Sequence, residues 1–207
     1  MGVSMRATTE SGAMVVLNDD GTWTWTTEPS PMAGNPAQLA LGFRKVPWGA
    51  TMSEIKASEV QQPDHEDEDS LGFNTVLAGL QAIVFYILIE DQLVRAKYII
   101  TQEYQNKNSY ITAFSTLKEA LTSKYGVSGE SNIYWNDDLY EDDPTEWGMA
   151  ISLGHHSRFE TWANENTSIC LALTGENYDI QLVVEYTGIA LRDIESDHRK
   201  ASLLADL

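Results

Sequence analysis

The run Leu80-Gln81-Ala82-Ile83-Val84-Phe85-Tyr86-Ile87-Leu88-Ile89 constrains the fold more than any other stretch of this chain. Val84, Tyr86 and Leu88 fall on one side of an extended backbone and Ile83, Phe85 and Ile87 on the other. A strand apolar on both faces belongs inside a sheet. Ala78-Gly79 closes a preceding strand over 72–78, and Glu90-Asp91 turns the chain into a following one over 93–101. There Val94, Ala96, Tyr98 and Ile100 oppose Arg95 and Lys97, giving one buried and one wet face. Tight turns imply antiparallel pairing, so 72–101 reads as a three-stranded meander.

Helices flank the meander. Thr51 with Glu54 forms a capping-box pattern that starts a short helix carrying Met52, Ile55 and Val60. After the meander, Ile111, Phe114, Leu117, Leu121 and Tyr125 recur at spacings of three and four, one apolar stripe on a helix over 110–125. Asn108 or Ser109 suits its start, and Gly126 its end in a left-handed conformation. Four further strands are read at 147–153, 157–163, 167–174 and 179–186, and a helix-compatible tail runs from Ile189 to Leu207. Helix and sheet occur twice, without an obvious sequence repeat. The predicted class is α+β, an antiparallel sheet with two helices on one face: a two-layer sandwich.

Upstream, Val15-Val16-Leu17-Asn18-Asp19-Asp20-Gly21-Thr22-Trp23-Thr24-Trp25 reads as a small β-hairpin. Asp20-Gly21 supplies the turn, and Trp23 and Trp25 share one face by the period of two. The segment Glu28 to Pro36 holds three of the six prolines and cannot continue a sheet. The chain therefore divides into a hairpin appendage over 1–27, a linker over 28–40, an α+β domain over 41–188 and a helical tail over 189–207.

Thirteen basic against 31 acidic side chains leave a net charge of −18. Such a surface repels nucleic acid and anionic membranes and attracts a basic protein partner. No apolar run reaches 18 residues, so no membrane insertion is expected. The first thirteen residues lack a continuous apolar core, which favours the cytoplasm, with export the alternative where a leader precedes.

Cys170 is the single cysteine and reads as a small apolar side chain in a strand, not a nucleophile. His65, His155, His156 and His198 lack zinc-type spacing; His155 and His156 point to opposite faces if extended. The acidic stretches 64–69 and 136–143 lack the alternating donors and closing Glu of a twelve-residue calcium loop. Phosphate-cradling loops and nucleophile elbows are absent. Neither a metal nor a cofactor is expected, and no catalytic residue. The residues selected for binding are Trp23 and Trp25, which offer stacking faces, and Asp137 and Asp138 in the second acidic loop.

Leu17-Asn18-Asp19-Asp20-Gly21-Thr22-Trp23 resembles the L-x-D-D-G-T-W hairpin near the start of many uncharacterised bacterial proteins. Val46-Pro47-Trp48-Gly49-Ala50-Thr51-Met52-Ser53-Glu54-Ile55-Lys56 resembles the W-G-x-S/T-x-x-E-V/I opening of small bacterial α+β domains. Those include domains similar to the outer-membrane-assembly lipoprotein and β-lactamase-inhibitor-protein-like folds, in which a helix precedes an antiparallel sheet. The resemblance implies a non-enzymatic interaction domain and carries over no functional residue. The function expected is a binding or interaction module, with carbohydrate or cell-wall binding through exposed tryptophans as the alternative.

Overall fold

The structure, a computed structural model, describes residues 5–8, 14–17, 23–25 and 42–205. At the start, β1 (Met5–Thr8), β2 (Met14–Leu17) and β3 (Trp23–Trp25) form an antiparallel sheet, with Leu17 opposite Trp23 and Val15 opposite Trp25. The hairpin read from the sequence is thus β2–β3, joined by a strand the sequence reading missed. Its Asp20-Gly21 turn and the linker over 28–36 lie outside the described residues.

A two-residue-strand hairpin, β4 (Gly42–Phe43) and β5 (Val46–Pro47), opens the main body. Then come α1 (Met52–Ser58), β6 (His65–Glu66), β7 (Ser70–Leu77), β8 (Leu80–Ile89) and β9 (Gln92–Ile100). A second series follows: α2 (Ser109–Tyr125), β10 (Glu130–Trp135), α3 (Trp147–Ser152), β11 (His156–Ala163), β12 (Thr167–Glu176) and β13 (Asp179–Gly188). A 3-10 turn at Ile189–Leu191 leads into α4 (Arg192–Ala205). All eight strands β6–β13 form one antiparallel sheet in the order β10-β11-β12-β13-β9-β8-β7-β6.

That order shows the architecture. Each series begins with a helix and then lays down four strands in sequence, and the two series join through their last strands, β9 and β13. At the seam Lys97 stands opposite Glu185, so Tyr98 and Tyr186, one residue further along each strand, hold equivalent places in the two halves. The duplication of order is visible in the sequence even though the residues do not repeat.

The core lies between the sheet and helices α1, α2 and α3. Ile55, Phe114, Leu117, Leu121 and Ile151 pack on Tyr86, Leu171, Leu173, Leu182 and Val184. The expected capping box is present: Thr51 Oγ1 accepts from the Glu54 amide at 3.3 Å, and Glu54 Oε2 accepts from the Thr51 amide at 2.8 Å. Gly126 ends α2 at φ 87°, but with ψ −168°, beyond the left-handed helical region. Asn108 occupies the α2 N-cap position without capping it. Its side chain turns instead to Pro144, Thr145 and Gly148.

Three expectations need correction. Residues 147–153 hold a helix, α3, not a strand. Strand β10 was missed because Glu130, Ser131 and Asn132 mask its alternation. The acidic stretch at 64–69 is not all loop, since β6 pairs His65 with Gly72 and Glu66 with Leu71. Among the described residues no helix is long and apolar enough to cross a membrane.

Three hairpins turn through two residues that both have positive φ: Ala78-Gly79, Glu90-Asp91 and Asn177-Tyr178. This is the geometry of a type I′ turn, where Asn-Gly is the favoured pair. Tyr178, at φ 72° and 65% exposed, adopts a backbone that suits glycine without burying its ring. Tyr178→Gly should therefore raise stability by about 0.5–1 kcal/mol despite the greater chain entropy of glycine, measured as a higher urea midpoint at unchanged slope.

Candidate functional site

The β4–β5 hairpin folds over the seam on the helix side of the sheet. Its turn begins at Arg44, whose φ of 53° is a conformation in which glycine is usual. This places Phe43 inward, 3% exposed, with its ring 5.5 Å from that of Tyr98 and 4.9 Å from that of Tyr186. A further edge-on contact joins Phe43 to Tyr86 at 5.5 Å. Beneath the hairpin, and reaching the C-terminal end of α2, lies a cavity of about 430 Å³.

The rings of Phe43, Tyr98, Tyr125 and Tyr186 line it together with the polar Asn164 and Thr167, and its two charged lining groups among the described residues are Arg44 and Lys124. No carboxylate of the described residues lines it, in a chain with 31 acidic residues. Burial raises the Tyr98 and Tyr186 hydroxyls above the ordinary phenol value, so both rings stay neutral. Lys124 Nζ sits 5.0 Å from the centre of the Tyr125 ring, an attraction of cation to ring face. Arg44 is held from behind: its Nη2 lies 3.5 Å from Glu59 Oε2, and Tyr86 donates its hydroxyl to Glu59 Oε1. Among the described residues the Nη1 of Arg44 has no hydrogen-bond partner, and it is buried.

The Trp48-Gly49-Ala50-Thr51 segment beside the cavity has structural duties. Trp48 Nε1 donates to Thr167 Oγ1 at 2.9 Å, and its ring lies where a Cβ on Gly188 would fall, 2.9 Å away. Gly49 takes φ 83°, and the amides of Gly49 and Leu93 bond to the carbonyls of Leu93 and Ala50 at 2.9 Å, tying the start of α1 to β9.

A second cavity, of about 520 Å³, lies between Met52, Leu88 and His198, and four carboxylates line it: Glu68, Asp69, Glu90 and Asp91. Asp91 Oδ1 already accepts from the Met52 amide at 2.9 Å. No cluster of three or more metal-ligating side chains occurs among the described residues.

The sequence-selected residues lie on separate elements. Trp23 and Trp25 are on β3, with Asp137 and Asp138 in the loop between β10 and α3. Asp137 Oδ1 accepts from the Leu139 amide at 2.9 Å and lies 3.9 Å from His155 Nδ1. Cys170 is half-buried, and burial together with the Glu185 charge pushes its thiol up from its ordinary value, away from thiolate. The sequence reading missed the cavity residues. Its one usable signal was Arg44-Lys45, two cations between Phe43 and Val46-Pro47-Trp48 in an otherwise acidic chain.

His156 is 1% exposed and stacks on Trp135 with ring centres 4.0 Å apart. Arg158 can only donate, so its Nε–H, 2.9 Å away, fixes Nε2 of His156 as an acceptor, and Nδ1–H faces the Tyr134 carbonyl at 3.2 Å. Burial, then the Arg158 charge, holds the imidazole below its ordinary value. The unfolded chain therefore takes up a proton before the folded one does. The stability conferred is fully present above about pH 6.5 and is lost as the pH falls from there through the folded value. Urea titrations should show this loss on acidification, and His156→Phe should flatten that part of the profile.

The class these features define is a two-half antiparallel α+β protein with an aromatic, cationic cavity at its seam. Comparison of the chain with protein-family models, curated proteins and solved structures found no match.

Proposed function

We propose that this protein is a non-enzymatic binding module whose ligand enters the seam cavity. The observation that carries the reading is the cavity itself. About 430 Å³ falls within the range of small-molecule sites, and aromatic side chains with a few polar groups among them are usual in such linings. The absence of His, Cys, Asp and Glu from the lining, among the described residues, supports binding over catalysis, because these are the side chains most often used as nucleophile or general base.

A ligand-perturbation experiment on the isotopically labelled chain tests it. A fragment library of mixed charge should shift the resonances of Phe43, Tyr98, Tyr125 and Tyr186 together. Hits that shift other regions only, or no hits, would sink the reading.

The acidic surface supports a further role in contacting a basic protein, whose affinity should fall steeply between low and physiological salt. Carbohydrate binding through Trp23 and Trp25 is supported by their spacing on one strand face. Trp48, Trp135, Trp147 and Trp162 are engaged instead in hydrogen bonds or ring contacts within the body.

A further inference from the structure

We infer that the seam cavity selects a small aromatic carboxylate, bound by Arg44 and Lys124 through its charge and by the Phe43, Tyr98, Tyr125 and Tyr186 rings through its body. This rests on the binding reading above and narrows it to a ligand class. Two of only thirteen cations face one cavity, while 31 carboxylates leave its described lining free. In a chain of net charge −18 an anion is repelled nearly everywhere else, so a carboxylate-free cationic cavity concentrates what the rest of the surface rejects.

Counting charges fixes the valence. Arg44 is paired through Nη2 with Glu59, which stands behind it and not in the lining. That pair sums to zero, and Lys124, which has no ion-pair partner among the described residues, leaves one positive charge. A monoanion balances it, whereas a phosphate dianion would leave excess negative charge. Arg44 supplies the directional element: its side chain lines the cavity and keeps 26% of its surface exposed, so part of the guanidinium fork remains open to an acceptor.

The ring geometry selects the body. Phe43 lies at 54° to 57° to Tyr98 and Tyr186, and those two rings meet edge to face with centres 6.1 Å apart. Walls of mutually tilted rings present both faces and edges, which is how aromatic groups pair. The backbone of Arg44 points the same way. A side chain larger than glycine is kept at φ 53°, in a sparsely populated region, where it reaches both Glu59 and the cavity.

Matched acids and amides separate this inference from the broader one. The intact chain is titrated calorimetrically at millimolar concentrations with benzoate and benzamide, 2-naphthoate and 2-naphthamide, and indole-3-acetate and indole-3-acetamide. At least one acid should bind about tenfold or more tightly than its amide, the factor expected of a charge-assisted hydrogen bond. Lys124→Gln, at the last turn of α2, should weaken that acid about tenfold and leave the amide unchanged, because only a charged ligand senses the lost ammonium. Acid and amide binding equally, or an acid indifferent to Lys124→Gln, would overturn the carboxylate and leave the binding module standing. Should no member of the panel bind, the inference falls, and the mixed-charge fragment screen decides whether the module falls with it.

Discussion

Gly148→Ala should lower the unfolding free energy by about 3 kcal/mol, the upper end of overpacking penalties, even though alanine is the better helix former by about 1 kcal/mol. The cause is a backbone-to-backbone approach. A Cβ at Gly148 would lie 2.3 Å from the carbonyl carbon of Lys107 and 2.4 Å from the Asn108 amide nitrogen. Neither atom can swing aside as a side chain could. The Gly148 amide also donates to Asn108 Oδ1 at 2.5 Å, while Asn108 Nδ2 donates to Thr145 O at 2.9 Å and Pro144 O at 3.1 Å. Separating the two helices enough for a methyl group would break these bonds as well.

The control is Gly129→Ala, whose Cβ would find its nearest neighbour at 3.8 Å, an ordinary contact. There the reduced freedom of the unfolded chain should raise stability slightly. Urea unfolding of both variants distinguishes the cases. Equal effects at the two glycines would show that chain entropy, not the α2–α3 approach, governs Gly148.

The same residue explains where sequence reasoning failed. Trp147-Gly148-Met149-Ala150-Ile151-Ser152-Leu153 is a short apolar run, and periodicity alone does not separate a buried helix from a strand at that length. In the structure it is helical, with Gly148, Ala150, Ile151 and Ser152 buried and Gly148 backed closely against the start of α2. By contrast, β8, β9, β13 and α2 were legible, because each carries a full period of apolar residues facing one core.

The seam cavity was not legible for a different reason. Its walls come from β4, β9, α2 and β13, and each tyrosine looks from its own segment like a core residue of its strand or helix. Only the joining of β9 to β13 brings Tyr98 and Tyr186 together under Phe43. Local pattern gave the elements, but the pairing of two distant last strands made the site.

Arg44→Met should lower stability by about 2–3 kcal/mol, somewhat below the usual cost of breaking a fully buried pair because the arginine is itself partly exposed. The larger part of the loss belongs to Glu59. Its side chain is 5% exposed against 26% for Arg44, and without the guanidinium only the Tyr86 hydroxyl, among the described residues, would remain to stabilise its charge. Glu59→Gln alone should cost less, about 1 kcal/mol, since the freed guanidinium can turn towards water and the amide still accepts from Tyr86. The double variant Arg44→Met/Glu59→Gln should then lose less than the sum of the two, by a coupling of about 1–2 kcal/mol in a double-mutant cycle, and so recover up to about 1 kcal/mol of what Arg44→Met loses. Additive losses would mean that the pair contributes nothing beyond its separate side chains. Placing glycine instead of methionine in that double variant should add about 1 kcal/mol more stability, because position 44 holds φ 53°. If the Arg44→Gly/Glu59→Gln chain proves more stable than the native one, Arg44 is costly to the fold. That cost is understandable if the arginine serves the cavity it lines and not the core.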